Sequence, residues 1–385
     1  MFEKIRPYND EKVREVITAF AKHPIVSQIS DFLYPGQDPA ILQKTLSEVN
    51  GVFDFQQKVM YPAIGQIVKA TTGGLTYDGI GYFRRDKSNY LIVSNHRDIV
   101  LDSAFLQYIM RDNDLPTTEI AVGNNLLSIQ FVADLMLSNR MIEVVRDGSP
   151  RDVYRNSCQF SDYIRRRITG RSLDAEDGLA EDGGASIWLA QRQGRTKDGF
   201  DMTEQGILKM LDVSGTGGFA DAFEELRILP MSISYEYEPC GVQKALECWR
   251  KSRFGAYTKA EMEDVHSMLS GIMQYKGRVH ISLCEPLTRE ELETAASRDR
   301  NERYRKLAEI IDKKIIDGYH LWDTSRYAAE ILDGKKSNPD FEAFIEEEIS
   351  SLPKDCDHDA IRKNLLTIYA VPYLRKNNLQ PYIRR

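Results

Sequence analysis

The chain has 385 residues, 42% of them apolar and 28% charged, with a formal net charge of −7; this is the balance of a folded globular protein, too apolar for disorder and too charged for a membrane bundle. The acidic excess excludes a general nucleic-acid binder, which needs cations to displace phosphate counterions, and no window reaches the roughly 18 uninterrupted apolar residues of a membrane span. Five cysteines without a CxxC pair read as reduced thiols in a cytosol, and they leave zinc without a candidate cage; no metal is expected.

The first seven residues, Met1-Phe2-Glu3-Lys4-Ile5-Arg6-Pro7, mix charges with a proline where a signal peptide would run from basic to apolar, so a cytoplasmic protein is expected. Residues 10–72 carry apolar positions at helical spacing, such as Val13, Val16, Ile17 and Phe20, broken at Tyr34-Pro35-Gly36 and Pro39. They predict a helical N-terminal region over 1–74. Beyond Thr71-Thr72-Gly73-Gly74 the pattern changes to short apolar runs alternating with helix-length segments, which predicts an α/β domain over 75–290. Strands are expected at 75–83, 90–94, 119–123, 141–145, 186–190, 228–234 and 278–284, several rich in Ile, Val and Leu as buried strands are. Helices fit between them at 102–111, 126–137, 150–168, 203–211 and 259–273. Ser149-Pro150 followed by Asp152 marks a helix start with its cap, its first-turn proline and its acid. The acidic, glycine-containing run 174–184 predicts a surface loop, and 291–385 a helical C-terminal region broken near Asn338-Pro339. Between Arg140 and Arg171, eight arginines face four acids, and the cluster Arg165-Arg166-Arg167 could dock an anionic partner.

Three segments carry chemistry. The run expected to form a strand at 90–94 delivers Asn95 and His96 to its C-terminal end, the edge where α/β sheets keep their sites. A neutral imidazole there can take a proton from a hydroxyl if a carboxylate fixes its tautomer, and Asp98 and Asp102 are both within reach of a tight turn. The second segment, Ile187 to Gly199, runs from an apolar strand into a loop where Gly194 allows close backbone approach and Arg195 and Lys197 can hold a phosphate. It lacks the Gly-Lys-Ser/Thr ending of a nucleotide loop, which disfavours ATP. The third is the apolar run from Ile228 to Tyr237, whose Pro230 suits a sheet edge or a strand's first residues. Arg146 follows the predicted strand 141–145.

In order and spacing these segments resemble the glycerolipid acyltransferase family, whose blocks read NHxxxxD, a Gly- and Arg-containing stretch, Glu-Gly-Thr-Arg and an apolar-Pro strand. The matches here are Asn95-His96 with Asp102, Gly123 and Arg146, Gly194-Arg195, and Leu229-Pro230. Two departures stand out: five residues rather than four separate His96 from Asp102, and Gln193 replaces the glutamate before the glycine. The resemblance implies a mixed, mostly parallel central sheet flanked by helices. It implies transfer of an acyl group from acyl-CoA or acyl-acyl carrier protein, with no cofactor, to glycerol 3-phosphate or 1-acylglycerol 3-phosphate. His96 would be the base and Asp102 its orienter, with Arg146, Gly194, Arg195 and Lys197 at the acceptor phosphate. Lipid substrates further imply peripheral contact with the inner face of the cytoplasmic membrane, through the N-terminal amphipathic helices. Transfer to an amino-acid lipid or another acceptor, or acyl-carrier and lipid binding without catalysis, are the alternatives.

Overall fold

The computed structural model describes residues 2–85, 88–127, 129–145, 148–175, 179–255, 257, 262–300 and 302–379. Among them, seven strands form one sheet: β1 (Gly74–Asp78), β2 (Leu91–Ser94), β3 (Glu119–Gly123), β4 (Met141–Val144), β5 (Ile187–Ala190), β6 (Ile228–Tyr235) and β7 (Arg278–Leu283). Their spatial order is β1-β7-β6-β2-β5-β3-β4. Every neighbouring pair is parallel except β6 with β7, so the sheet is mixed and mostly parallel with helices on both faces, as expected. The first predicted strand, 75–83, ends early at Asp78: the chain turns at Gly79 and enters a short helix, Gly81–Arg85.

The strands read as they do because both faces are covered. Leu91, Val93, Ile187 and Leu189 point into one core, with the helices Pro150–Thr169, Gln205–Asp212 and Glu302–Asp317. Ile92, Trp188 and Leu229 point into the other, beneath the helices Tyr61–Thr71 and Leu101–Asp112. A side chain such as Leu91, fully buried, stabilises the fold by roughly 1.5–3 kcal/mol. The helices Asp10–Phe20, Pro39–Ser47 and Val52–Phe55 close a separate cluster with Phe131 and Leu135. A further cluster joins the helix Gly241–Phe254, absent from the sequence-based expectation, to the C-terminal helices Pro339–Ser350 and His358–Lys376.

Pro230 does not lie on an edge. β6 runs inside the sheet between β7 and β2. Its ladder with β7 begins only at Met231 opposite Leu283, and the Pro230 carbonyl accepts from Cys284 N at 2.8 Å. In a strand, N–H and C=O of one residue face the same neighbour, so the missing donor falls just outside the β7 ladder.

The arginine cluster is not a docking surface. Arg165 is buried, donating to Leu211 O (3.0 Å) and Ala222 O (2.6 Å) at the ends of two neighbouring helices and to Glu225 (2.9 Å). Arg167 bonds Glu119 at 2.9 Å and Asp182 through both terminal nitrogens. Arg166 holds Asp162 and two loop carbonyls. Arg165 thus satisfies helix-end carbonyls that would otherwise lie buried without donors, and Arg166 and Arg167 tie carboxylates and loop carbonyls, an internal use of charge. Among the described residues no helix is long and apolar enough to cross a membrane.

Candidate active site

β2 ends at Ser94, and the chain then makes an irregular turn before the helix that starts at Leu101. Asp102 sits in the first turn of that helix, fully buried, and reaches back over the loop. Its Oδ2 accepts from His96 Nδ1 (2.9 Å), Arg97 N (2.6 Å) and Asp98 N (3.0 Å), and its Oδ1 accepts from the Tyr235 hydroxyl at 2.7 Å. The two backbone donors show how five intervening residues are accommodated: the loop wraps around the carboxylate. Asp98 faces elsewhere. Its Oδ1 accepts from Val100 N (2.9 Å) and Leu101 N (2.8 Å), an N-terminal cap for the helix, while Oδ2 is buried without a hydrogen bond. Burial, then the neighbouring Asp102 charge, raise the Asp98 pKa. Burial and the same charge push Tyr235 well above the ordinary phenol value, so it stays a donor. A carboxylate can only accept, which puts the imidazole proton on Nδ1 and leaves Nε2 as a base.

Around this turn lies a buried polar framework. Asn95 stitches β2 to β6, giving Nδ2 to Ile233 O (3.1 Å) and Asp201 (3.1 Å) and accepting from Ile233 N (2.8 Å). Arg97 donates to Asp201 at 2.7 Å and pairs with Glu238 at 3.5 Å. Burial alone would raise the Asp201 pKa; the Arg97 charge and bonds from its neighbours more than reverse this. Lys244 spans Glu238 and the Arg97 carbonyl, 2.6 Å each, and Tyr319 OH reaches Asp201 at 2.7 Å. His96 is thereby flanked on both sides by residues whose positions are fixed.

A cavity of about 1040 Å³ opens beside His96. One part of its wall is apolar, with Val100, Ile120, Val122, Met136, Met141 and Trp188; another carries Arg192, Gly194, Arg195, Lys197 and Lys251. Gly194 has φ +69° and nothing within 4 Å of where a Cβ would sit, so glycine both permits the left-handed turn and leaves the backbone open. Arg195 is only 8% exposed, yet its Nη1 has no hydrogen-bond partner, and neither has Nε of Arg192. An unanswered buried guanidinium nitrogen is costly in an interior and suits an anionic guest. Lys197 is engaged by Glu247 of the helix Gly241–Phe254. Arg146 falls outside the described residues.

Residues 75–169 match the family model described as Acyltransferase. The matched segment contains the whole His96–Asp102 turn. Among solved structures, the 1-acyl-sn-glycerophosphate (LPA) acyltransferase PlsC from Thermotoga maritima is similar over 80% of this chain and 94% of that one, at 11% identity and a TM-score of 0.38. No curated protein matches by sequence.

The cationic loop lies beyond the matched segment, but the cavity unites the two: His96, Gly194, Arg195 and Lys197 line one space. Sequence reading missed Tyr235, Asp201, Glu247 and Lys251. Tyr235 lies within the apolar run Ile228 to Tyr237, and strand alternation sets its side chain on the same face as Ile233. Nothing in the sequence marked Asp201. Trp188, in the apolar strand that precedes the cationic loop, stands with its ring edge-on to His96, centroids 5.7 Å apart.

Proposed function

We propose that the protein is an O-acyltransferase that moves a fatty acyl group from acyl-CoA or acyl-acyl carrier protein to glycerol 3-phosphate or 1-acylglycerol 3-phosphate, at the inner face of the cytoplasmic membrane. The observation that carries this is one cavity holding an imidazole with its Nδ1 engaged by buried Asp102 and a buried arginine with an unpartnered N–H. His96 Nε2 takes the proton of the acceptor hydroxyl as its oxygen attacks the thioester carbonyl. The tetrahedral intermediate then expels the thiolate, which recovers the proton from the imidazolium and leaves as free thiol. No covalent enzyme intermediate forms. Arg195 holds the acceptor phosphate, with Lys197 and Arg146 as further cations, and Gly194 lets the phosphate approach the backbone. Holding the acceptor favours transfer over hydrolysis. The acyl chain lies along Ile120, Val122, Met136 and Met141.

The test measures thiol release from both donors with each acceptor. His96→Ala is expected to lower kcat by about 10²- to 10⁴-fold. Arg195→Ala is expected to raise KM for phosphate acceptors while leaving slow thioester hydrolysis nearly unchanged. Wild-type protein that binds acyl donor without turning over any acceptor would sink the reading in favour of a lipid-binding role. Equal loss of transfer and hydrolysis in Arg195→Ala would remove the phosphate assignment alone.

A further inference from the structure

Asp98, Cys240 and Lys276 are buried ionisable groups that the acyl-transfer scheme does not use. They meet on one face of the helix Glu263–Met273. Cys240 Sγ donates to Ser267 O (3.4 Å), the Asp98 carboxylate lies against Gly271, and Lys276 Nζ donates to Ile272 O at 3.1 Å and to Thr71 Oγ1 at 2.9 Å. Positions 267 and 271 are four residues apart and so share a side of the helix. The loop that carries Arg195 is fastened to the same turn, since Thr196 N donates to His96 O at 2.8 Å, two residues before Asp98. Within this cluster Asp98 Oδ2 and Arg195 Nη1, which bear opposite charges, are both buried and both without a hydrogen bond. Burial and the Asp102 charge hold the Asp98 carboxyl up, while its two capping N–H groups and the Arg195 charge pull it down. Tyr235, Cys240 and Lys276 also feel the Asp98 charge. Burial brings Lys276 down to about 8, so it stays a cation below that pH.

We propose that Asp98 is the internal counterion of Arg195 and that an acceptor phosphate engages Arg195 in competition with it, so that acceptor affinity depends on whether Asp98 carries a proton. Two anions that share one buried cation repel each other strongly where little water screens them. An ionised Asp98 therefore opposes the bound phosphate, and a protonated one does not. Acceptor binding raises the proton affinity of Asp98, and acceptor affinity falls as rising pH removes that proton. The catalytic imidazole is untouched by this, because Asp102 holds its Nδ1. The inference rests on the phosphate-acceptor reading above.

Acceptor KM and kcat of wild type and Asp98→Asn, compared from about pH 5 to about pH 7 where Lys276 keeps its charge, test it. Asn keeps the oxygen that caps Val100 and Leu101 and removes the charge. Dividing the wild-type KM by the variant KM at each pH cancels the titration of the phosphate and of His96. The quotient is expected to climb with pH to about tenfold at pH 7, the variant binding more tightly, with kcat within about twofold of the parent. Damage to the fold would not tighten binding. Asp98→Ser also caps a helix, is smaller opposite Gly271, and is expected to show the same climb should the Asn variant fail to fold. A quotient flat with pH overturns the counterion role, and so does a variant KM above the parent's, which would make Asp98 the group that holds Arg195 in place. Either result comes from a protein that turns over the acceptor. Wild type that turns over no phosphate acceptor overturns the acceptor reading, and the inference with it.

Discussion

Asp102 accepts four hydrogen bonds while wholly removed from solvent, and that single carboxylate organises the candidate site. A buried charge is tolerable only when its lone pairs are met, and bonds to a charged group contribute about 1.5–3 kcal/mol each. Two of the donors belong to the loop itself, so the carboxylate both shapes the turn and fixes the imidazole. The fourth donor, Tyr235, comes from β6. Tyr235→Phe keeps the ring and deletes that donor; steady-state kinetics are expected to show kcat reduced about tenfold with KM little changed, together with lower stability on urea unfolding. A rise in KM at unchanged kcat would place Tyr235 in acceptor binding instead. The imidazole and the arginine loop were legible in the sequence because each announces itself over a few consecutive residues. Tyr235 and Asp201 were not, because they reach the turn across separations of 133 and 104 residues, a distance over which no local pattern extends.

At the scale of elements, the helix Glu263–Met273 rests directly on the loop that carries His96. Gly271 is the point of contact: a Cβ there would overlap the Asp98 carboxylate, which is buried and anchored through its other oxygen to Val100 and Leu101. Gly271→Ala is therefore expected to destabilise the protein by roughly 1–3 kcal/mol despite the better helix propensity of alanine, and denaturant titration measures it. A gain in stability would mean that the helix shifts outward freely. The parallel strands were readable from their apolar runs, and the helix from Pro150 from its cap, whose Ser149 oxygen accepts from Asp152 N at 3.3 Å. The reversal between β6 and β7 was not, since direction within a sheet is decided by the crossover that joins the strands and leaves no mark in either one. The helix Gly241–Phe254, which lines the cavity and brings Glu247 to Lys197, was not legible either.

For the whole molecule, the C-terminal helices are working parts of the core. Leu307, Ile311 and Ile315 pack on the sheet, and Asp312 of the same helix accepts from Thr203 N (2.8 Å) and Thr203 Oγ1 (2.6 Å) in the segment after the cationic loop. Burial pushes the Asp312 carboxyl up to about 6, against the opposing pull of the Thr203 bonds. The folded chain thus holds this proton more tightly than the unfolded one, whose carboxyl titrates near 3.9. The stability it contributes is full below about pH 4 and lost as the pH rises through about 6. Asp312→Asn keeps the acceptor for Thr203 without the charge. It is expected to be more stable than the parent by on the order of 2 kcal/mol at pH 8, with the difference closing towards pH 4, as thermal unfolding at the two pH values will show. A variant less stable than the parent at pH 8 would show that the charge is favourable where it lies.

The framework behind the imidazole has a consequence for how the protein is made. Arg97 is held by Asp201 and Glu238, Glu238 N donates to the Tyr369 hydroxyl at 2.9 Å, and Arg375 donates to the Asp201 carbonyl. A ribosome synthesises residue 97 long before residue 375. Most strands must wait for partners made later, β1 for β7 and β2 for β5 and β6, and the loop after β2 acquires its last restraints only when the helix His358–Lys376 has been released and docked. A nascent chain would carry His96 for most of its synthesis without the framework that fixes the residues on either side of it.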